Sequence, residues 1–117
     1  MALFNIDEPI KLNEDIVCLI KRRWLQIWVH SFIYYKMGTS IISDTMWDKW
    51  AKELVDLKAK YPNEAKQIKH YDIFADFDGS TGFIIASKAT PNLIKKAKQL
   101  VEYYREHNTW NILLECL

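Results

Sequence analysis

At 117 residues and 13.9 kDa the chain has room for one domain with a hydrophobic core, and a content of 50% apolar and 14% aromatic residues excludes a disordered or low-complexity chain. Lys and Arg number 16 against 15 Asp and Glu, so the net charge of +1 supplies no general attraction to nucleic acid, and direct nucleic-acid binding is not expected. Cys18 falls on an apolar helix face and Cys116 in an apolar tail, two lone cysteines that point to reduced thiols and not a bridge; no targeting segment is visible, and a cytoplasmic protein is expected.

Residues 1–12 carry Pro9 among alternating apolar and polar groups and read as an extended arm. Asn13 suits the N-cap of a first long helix, with Glu14 and Asp15 at the positive end of its dipole. That helix is predicted from Glu14 to Met37. Val17, Ile20, Trp24, Ile27, Trp28 and Tyr35 line one side, and Leu25, Val29, Phe32 and Ile33 line another. Arg22, Arg23, Gln26 and His30 remain as the solvent strip. A helix apolar over so much of its circumference requires several neighbours, since an amphipathic surface helix needs an apolar stripe only about 100° wide. Its most apolar passage, Trp24 to Tyr35, contains Gln26, His30 and Ser31 and follows Lys21-Arg22-Arg23, which makes it too short and too polar for a membrane span.

Gly38 ends the first helix by taking a left-handed conformation, and either Ser43 or Asp44 caps the next. The second helix is predicted from Asp44 to Lys60, with Trp47, Trp50, Ala51, Leu54, Leu57 and Tyr61 at helical spacing. The short connection makes it antiparallel to the first. Pro62 ends it, and residues 63–69 have room for a further helical turn. Tyr71 to Phe77 and Phe83 to Ser87 are rich in aromatic and branched residues and flank Asp78-Gly79-Ser80-Thr81-Gly82, which predicts a loose β-hairpin or an ordered loop. Thr90-Pro91 then marks the start of a third long helix running to His107, burying Leu93, Ala97, Leu100, Val101 and Tyr104. An apolar tail, Thr109 to Leu117, follows. The expected fold is mainly α: an antiparallel helical hairpin over 14–62, then a small irregular or β-like insertion, a third long helix and the tail over 63–117.

Few residues point to catalysis. Asp76-Phe77-Asp78-Gly79-Ser80-Thr81 resembles the opening motif of haloacid-dehalogenase-like phosphatases, but the parallel sheet and later motifs such enzymes need are missing, so the run reads as a turn whose carboxylates and hydroxyls satisfy backbone donors. His30, His70 and His107 have no metal-ligand spacing.

From about Leu19 to Asn63 the paired Tyr34-Tyr35, the short loop, Ile42-Ser43-Asp44, then Trp47-Asp48 and a Leu-rich helix ending in Tyr61-Pro62 resemble one known pattern. It is that of the small N-terminal helical domain of bacterial NAD-dependent DNA ligases, which binds the nicotinamide mononucleotide half of NAD. The resemblance implies a ligand-contacting set of Tyr34, Tyr35, Asp44, Trp47 and Asp48. Tyr35 and Trp47 stand where many ligases have His and Tyr. The chemistry agrees with the set: a flat cationic ring stacks on aromatic faces, while carboxylates offset its charge or hold ribose hydroxyls. In plainer terms, Asp44 caps a helix, Asp48 is solvated or pairs with Lys52, and the aromatics fill core.

The resemblance implies a non-catalytic binding protein, with no required cofactor and with NAD or nicotinamide mononucleotide as ligand. Such stand-alone, ligase-related domains are found among small phage and mobile-element proteins. The alternative is a protein inhibitor of a host defence system, as anti-CRISPR proteins are, acting through a protein partner or in a self-associated form. Exposed members of Trp24, Trp28, Trp47, Trp50 and Trp110 would then anchor the contact.

Overall fold

The computed structural model describes residues 11–107, and within them the chain forms six helices: α1 (Glu14–Lys36), α2 (Asp44–Lys60), α3 (Pro62–Ala65), α4 (Tyr71–Ala75), α5 (Phe83–Ser87) and α6 (Pro91–His107). The fold is mainly α. The expectations for most of the arm, for the tail, and for Trp110 and Cys116 lie outside the described residues.

The predicted end signals operate as local chemistry. The Asn13 carboxamide oxygen accepts from the N–H groups of Asp15 and Ile16, at 3.1 and 3.3 Å. Asn13 also donates its own N–H to the Glu64 carboxylate at 3.0 Å, which ties the start of α1 to α3. At the other end Met37 and Thr39 return their N–H groups to the Ile33 carbonyl, and Gly38 stands at φ +68° with open space around it, so conformation and not crowding selects glycine there. Ser43 is the cap of α2, its hydroxyl accepting from Met46 N–H at 3.1 Å. Asp44 is therefore the first helical residue, with its carboxylate left for other partners. Thr90 caps α6 through Leu93 N–H at 3.2 Å.

Helix α1 is the centre of the molecule, packed by α2, α3, α5 and α6. Arg23 meets Glu53, His30 faces Trp50, and Ser31 meets Trp47, so positions rise along one helix as they fall along the other and the hairpin is antiparallel. Ile20, Trp24, Ile27, Trp28, Val29 and Ile33 are all at most 1% exposed. Trp24 stacks on Trp28, with ring centroids 5.0 Å apart and planes 22° apart, and on Phe74 at 5.2 Å. Trp28 donates its indole N–H to the Ile85 carbonyl at 2.8 Å, pinning α5 against α1.

Three expectations are corrected. The segments 71–77 and 83–87 are not strands: α4 and α5 bury Phe74 with Phe77, and Gly82 with Ile85 and Ala86, at three-residue spacing against the central helix. With no strand among the described residues to complete a ladder, packing on α1 overrides their β propensity. The ordered-turn alternative describes the run between them, where Asp78 accepts from both the Ser80 N–H (2.9 Å) and the Ser80 hydroxyl (2.6 Å). Those bonds hold the exposed Asp78 carboxyl below the usual carboxylate range.

The predicted solvent strip of α1 is the second correction, because Gln26 and His30 are buried at 2% and 4% exposure. The α2 face covers them. Arg23, half-buried, donates to the Glu53 carboxylate at 2.9 Å and to the Gln26 side-chain oxygen Oε1 at 2.7 Å, so a charged side chain seals the join. Cys18, third, is exposed and not on a covered apolar face of α1. Trp24, Trp28 and Trp50 are core residues and Trp47 is half-buried, so none of the described tryptophans is an exposed anchor.

Lys58 holds the end of α4. Its ammonium donates to the carbonyls of Phe74, Ala75 and Phe77, at 3.2, 3.0 and 2.6 Å, satisfying groups that a helix C-terminus leaves open. Burial lowers its pKa, and the negative charges of Asp76 and Asp78 oppose that shift. The turn that follows α4 is thus fixed in place before it reaches the central helix.

Candidate functional site

Where α1 ends and α2 begins, the two helices and the turn before α5 enclose a cavity of about 300 Å³. That is at the small end of the size range of ligand pockets. Tyr34, Tyr35, Asp44, Trp47 and Asp48 all line it. Helical geometry brings them together from both sides: Tyr34 and Tyr35 sit in the last turn of α1, while Asp44, Trp47 and Asp48 share one face of α2 at i, i+3 and i+4.

Tyr34 and Tyr35 stand at the mouth, 55% and 40% exposed, with their rings edge to face at 4.9 Å. Tyr35 is oriented from two sides. Its hydroxyl is 3.0 Å from the Thr81 hydroxyl, which also accepts from Phe83 N–H, and its ring meets the Phe83 ring edge-on at 5.4 Å. Trp47 reaches across from α2 and donates its indole N–H to the Ser31 hydroxyl at 3.1 Å. Ser31 in turn donates to the Ile27 carbonyl at 2.6 Å, so the indole is held to the backbone of α1 through a single hydroxyl.

Asp44 and Asp48 are exposed, and no hydrogen bond or ion pair engages either carboxylate among the described residues. Asp48 is solvated and not paired with Lys52. These two are the charged side chains among the lining groups, so the cavity favours a cation or a cluster of hydroxyl donors.

Two elements of the site lie outside the set implied by the sequence. The floor consists of His30 and Ser31, one turn before the two tyrosines. The far wall comes from Ser80, Thr81 and Gly82, in the run read only as a turn. Gly82 is required by space: a Cβ placed there would lie 2.6 Å from Ser31 Cβ and 3.3 Å from the Trp47 ring. A signal for the floor existed, since His30 and Ser31 precede Tyr34 and Tyr35 by four residues each.

His30 has a further property. Desolvation lowers its pKa from 6.5 to about 4, so the imidazole is neutral at pH 7. Between those values the unfolded chain binds the extra proton, so stability is full above pH 6.5 and falls as the pH drops toward 4. The shift from 6.5 to about 4 corresponds to a loss of about 3 kcal/mol over that window. Urea unfolding at pH 7 and pH 4 is expected to show this loss in the wild type, beyond the change in a His30→Leu variant.

A comparison with curated proteins finds the DNA ligase of Pseudothermotoga lettingae, 38% identical over 53 residues that make up 45% of this chain. The match spans 8% of that ligase's length. No family model matches the chain, and no solved structure matches it. The chain thus contains a region similar to part of a bacterial DNA ligase.

Proposed function

We propose that the chain is a non-catalytic binding protein whose cavity holds a nicotinamide mononucleotide, free or as one half of NAD. The observation that carries this reading is the convergence of the aromatic and acidic residues on one cavity, with both carboxylates unengaged beside Tyr34, Tyr35 and Trp47. A cationic ring fits between the tyrosines and the indole, and the carboxylates accept from ribose hydroxyls. The likeness to part of a ligase supports the same ligand class. Among the described residues no lysine lines the cavity to act as a nucleophile for adenylyl transfer, which favours binding over chemistry. On this reading the chain is an accessory protein of the kind that phages and mobile elements carry.

Calorimetry tests the reading. Nicotinamide mononucleotide is expected to bind in the submillimolar range, and Tyr34→Ala or Asp48→Ala is expected to abolish the heat without changing helix content, because both side chains are exposed. Absence of heat at millimolar ligand would limit any affinity to about 4 kcal/mol and overturn the proposal. A protein-contact role, including inhibition of a host defence system, would then rest on Tyr34, Phe83 and Ile84, exposed by 55%, 56% and 59% beside the same mouth.

A further inference from the structure

The cavity floor contains a buried polar group with unfilled hydrogen-bonding capacity. Ser31 is committed, accepting from Trp47 and donating to Ile27. His30 beside it is 4% exposed, and neither Nδ1 nor Nε2 has a partner among the described residues. Leaving such a group unmatched is costly, and an orphaned side chain of this kind in a native fold calls for a reason. The imidazole lies beside the Trp50 ring, at a centroid distance of 5.9 Å and a tilt of 42°, without a hydrogen bond between them. His30 precedes Tyr34 by one helical turn and therefore lies beneath the place where a ring held by the mouth aromatics would end.

We propose that His30 is the specificity-determining residue of the cavity, reading the carboxamide carried by a nicotinamide ring; this rests on the nucleotide reading above. A neutral imidazole has one N–H donor and one acceptor, and a primary carboxamide offers both an acceptor and a donor, so either orientation of the amide finds a match. The two flip states of the ring differ by a half-turn about the Cβ–Cγ bond, which exchanges ring carbons for nitrogens of nearly the same size, and the binding state is the one with a nitrogen toward the cavity. A carboxylate in the amide's place fares worse. It would have to shed water at a floor with no positive charge, within a cavity whose charged groups are Asp44 and Asp48. It would also cancel the ring's own positive charge, which those carboxylates favour. The cavity is thereby selective for the amide over the acid.

The test compares nicotinamide mononucleotide with nicotinic acid mononucleotide on the full chain by calorimetry at pH 7. The wild type is expected to favour the amide at least tenfold. His30→Leu, which removes the polar atoms while keeping bulk, is expected to bring the ratio close to one while binding still depends on Tyr34 and Asp48. His30→Gln, which restores a donor and an acceptor, is expected to recover most of the preference. A purely structural role for His30 would change both affinities together and leave the ratio alone. Equal binding of the two nucleotides by the wild type, or an unchanged preference in a folded His30→Leu variant, would overturn the inference and leave the nucleotide reading standing. Binding of neither would overturn both. As a measurement free of mutation, the His30 ring ¹⁵N resonances should shift when nicotinamide mononucleotide is added; resonances that stay fixed at saturation would also sink the assignment.

Discussion

Trp28→Ala is expected to lower the free energy of unfolding by about 3–5 kcal/mol, the range for truncating a large aromatic residue in a core. Two losses combine. The side chain is 1% exposed, so its removal leaves a cavity beside Trp24, and the Ile85 carbonyl loses the indole N–H that it accepts at 2.8 Å. A domain typically has about 5–15 kcal/mol in total, so the loss is a large fraction of the stability. Urea denaturation checks the size of the effect. Trp28→Phe separates the two contributions, because it keeps most of the apolar volume and forfeits the hydrogen bond, and its cost should be about 1–3 kcal/mol.

Gly82→Ala adds one methyl group and is expected to cost about 1–3 kcal/mol, the usual range for overpacking, with Gly82→Val costing more. The backbone is not the obstacle, since φ at Gly82 is −95°, where alanine is at ease. Space is the obstacle. Ser31 Cβ lies 2.6 Å from the added atom and Ser31 belongs to the central helix, so the turn before α5 must move away from α1. That displacement opens the far wall of the cavity and loosens the contact between Tyr35 and Thr81. Gly82→Ala should therefore weaken nucleotide binding even where the protein remains folded, which calorimetry beside a urea titration will separate.

The long helices were legible because their ends are written in adjacent residues. Asn13, Gly38, Ser43 and the Thr90-Pro91 pair act within a turn or two, and α2 and α6 have the predicted bounds. What escaped depends on residues distant in sequence. Tyr71 to Phe77 carries β-forming side chains, and its helical form follows from packing on Trp24 and from three carbonyls held by Lys58. Gln26 and His30 read as solvent-facing on α1 alone and are buried once α2 lies over them. The cavity divides along the same line. Its aromatic and acidic rim lies within one short stretch, whereas the Thr81 wall meets Tyr35 across 46 positions of sequence, a pairing that no local period reveals.

The stacked indoles of Trp24 and Trp28 carry an optical consequence. Two identical chromophores with centroids 5.0 Å apart, both fixed in a rigid core and inclined by 22°, couple their electronic transitions. Circular dichroism of the native protein should therefore contain a paired positive and negative exciton band superposed on the helical signal. Helix content taken from the far-ultraviolet spectrum alone will be skewed by that band. Replacing either indole should remove the couplet as a whole, so a spectrum can report whether the centre of the molecule is assembled even while most of its helices persist.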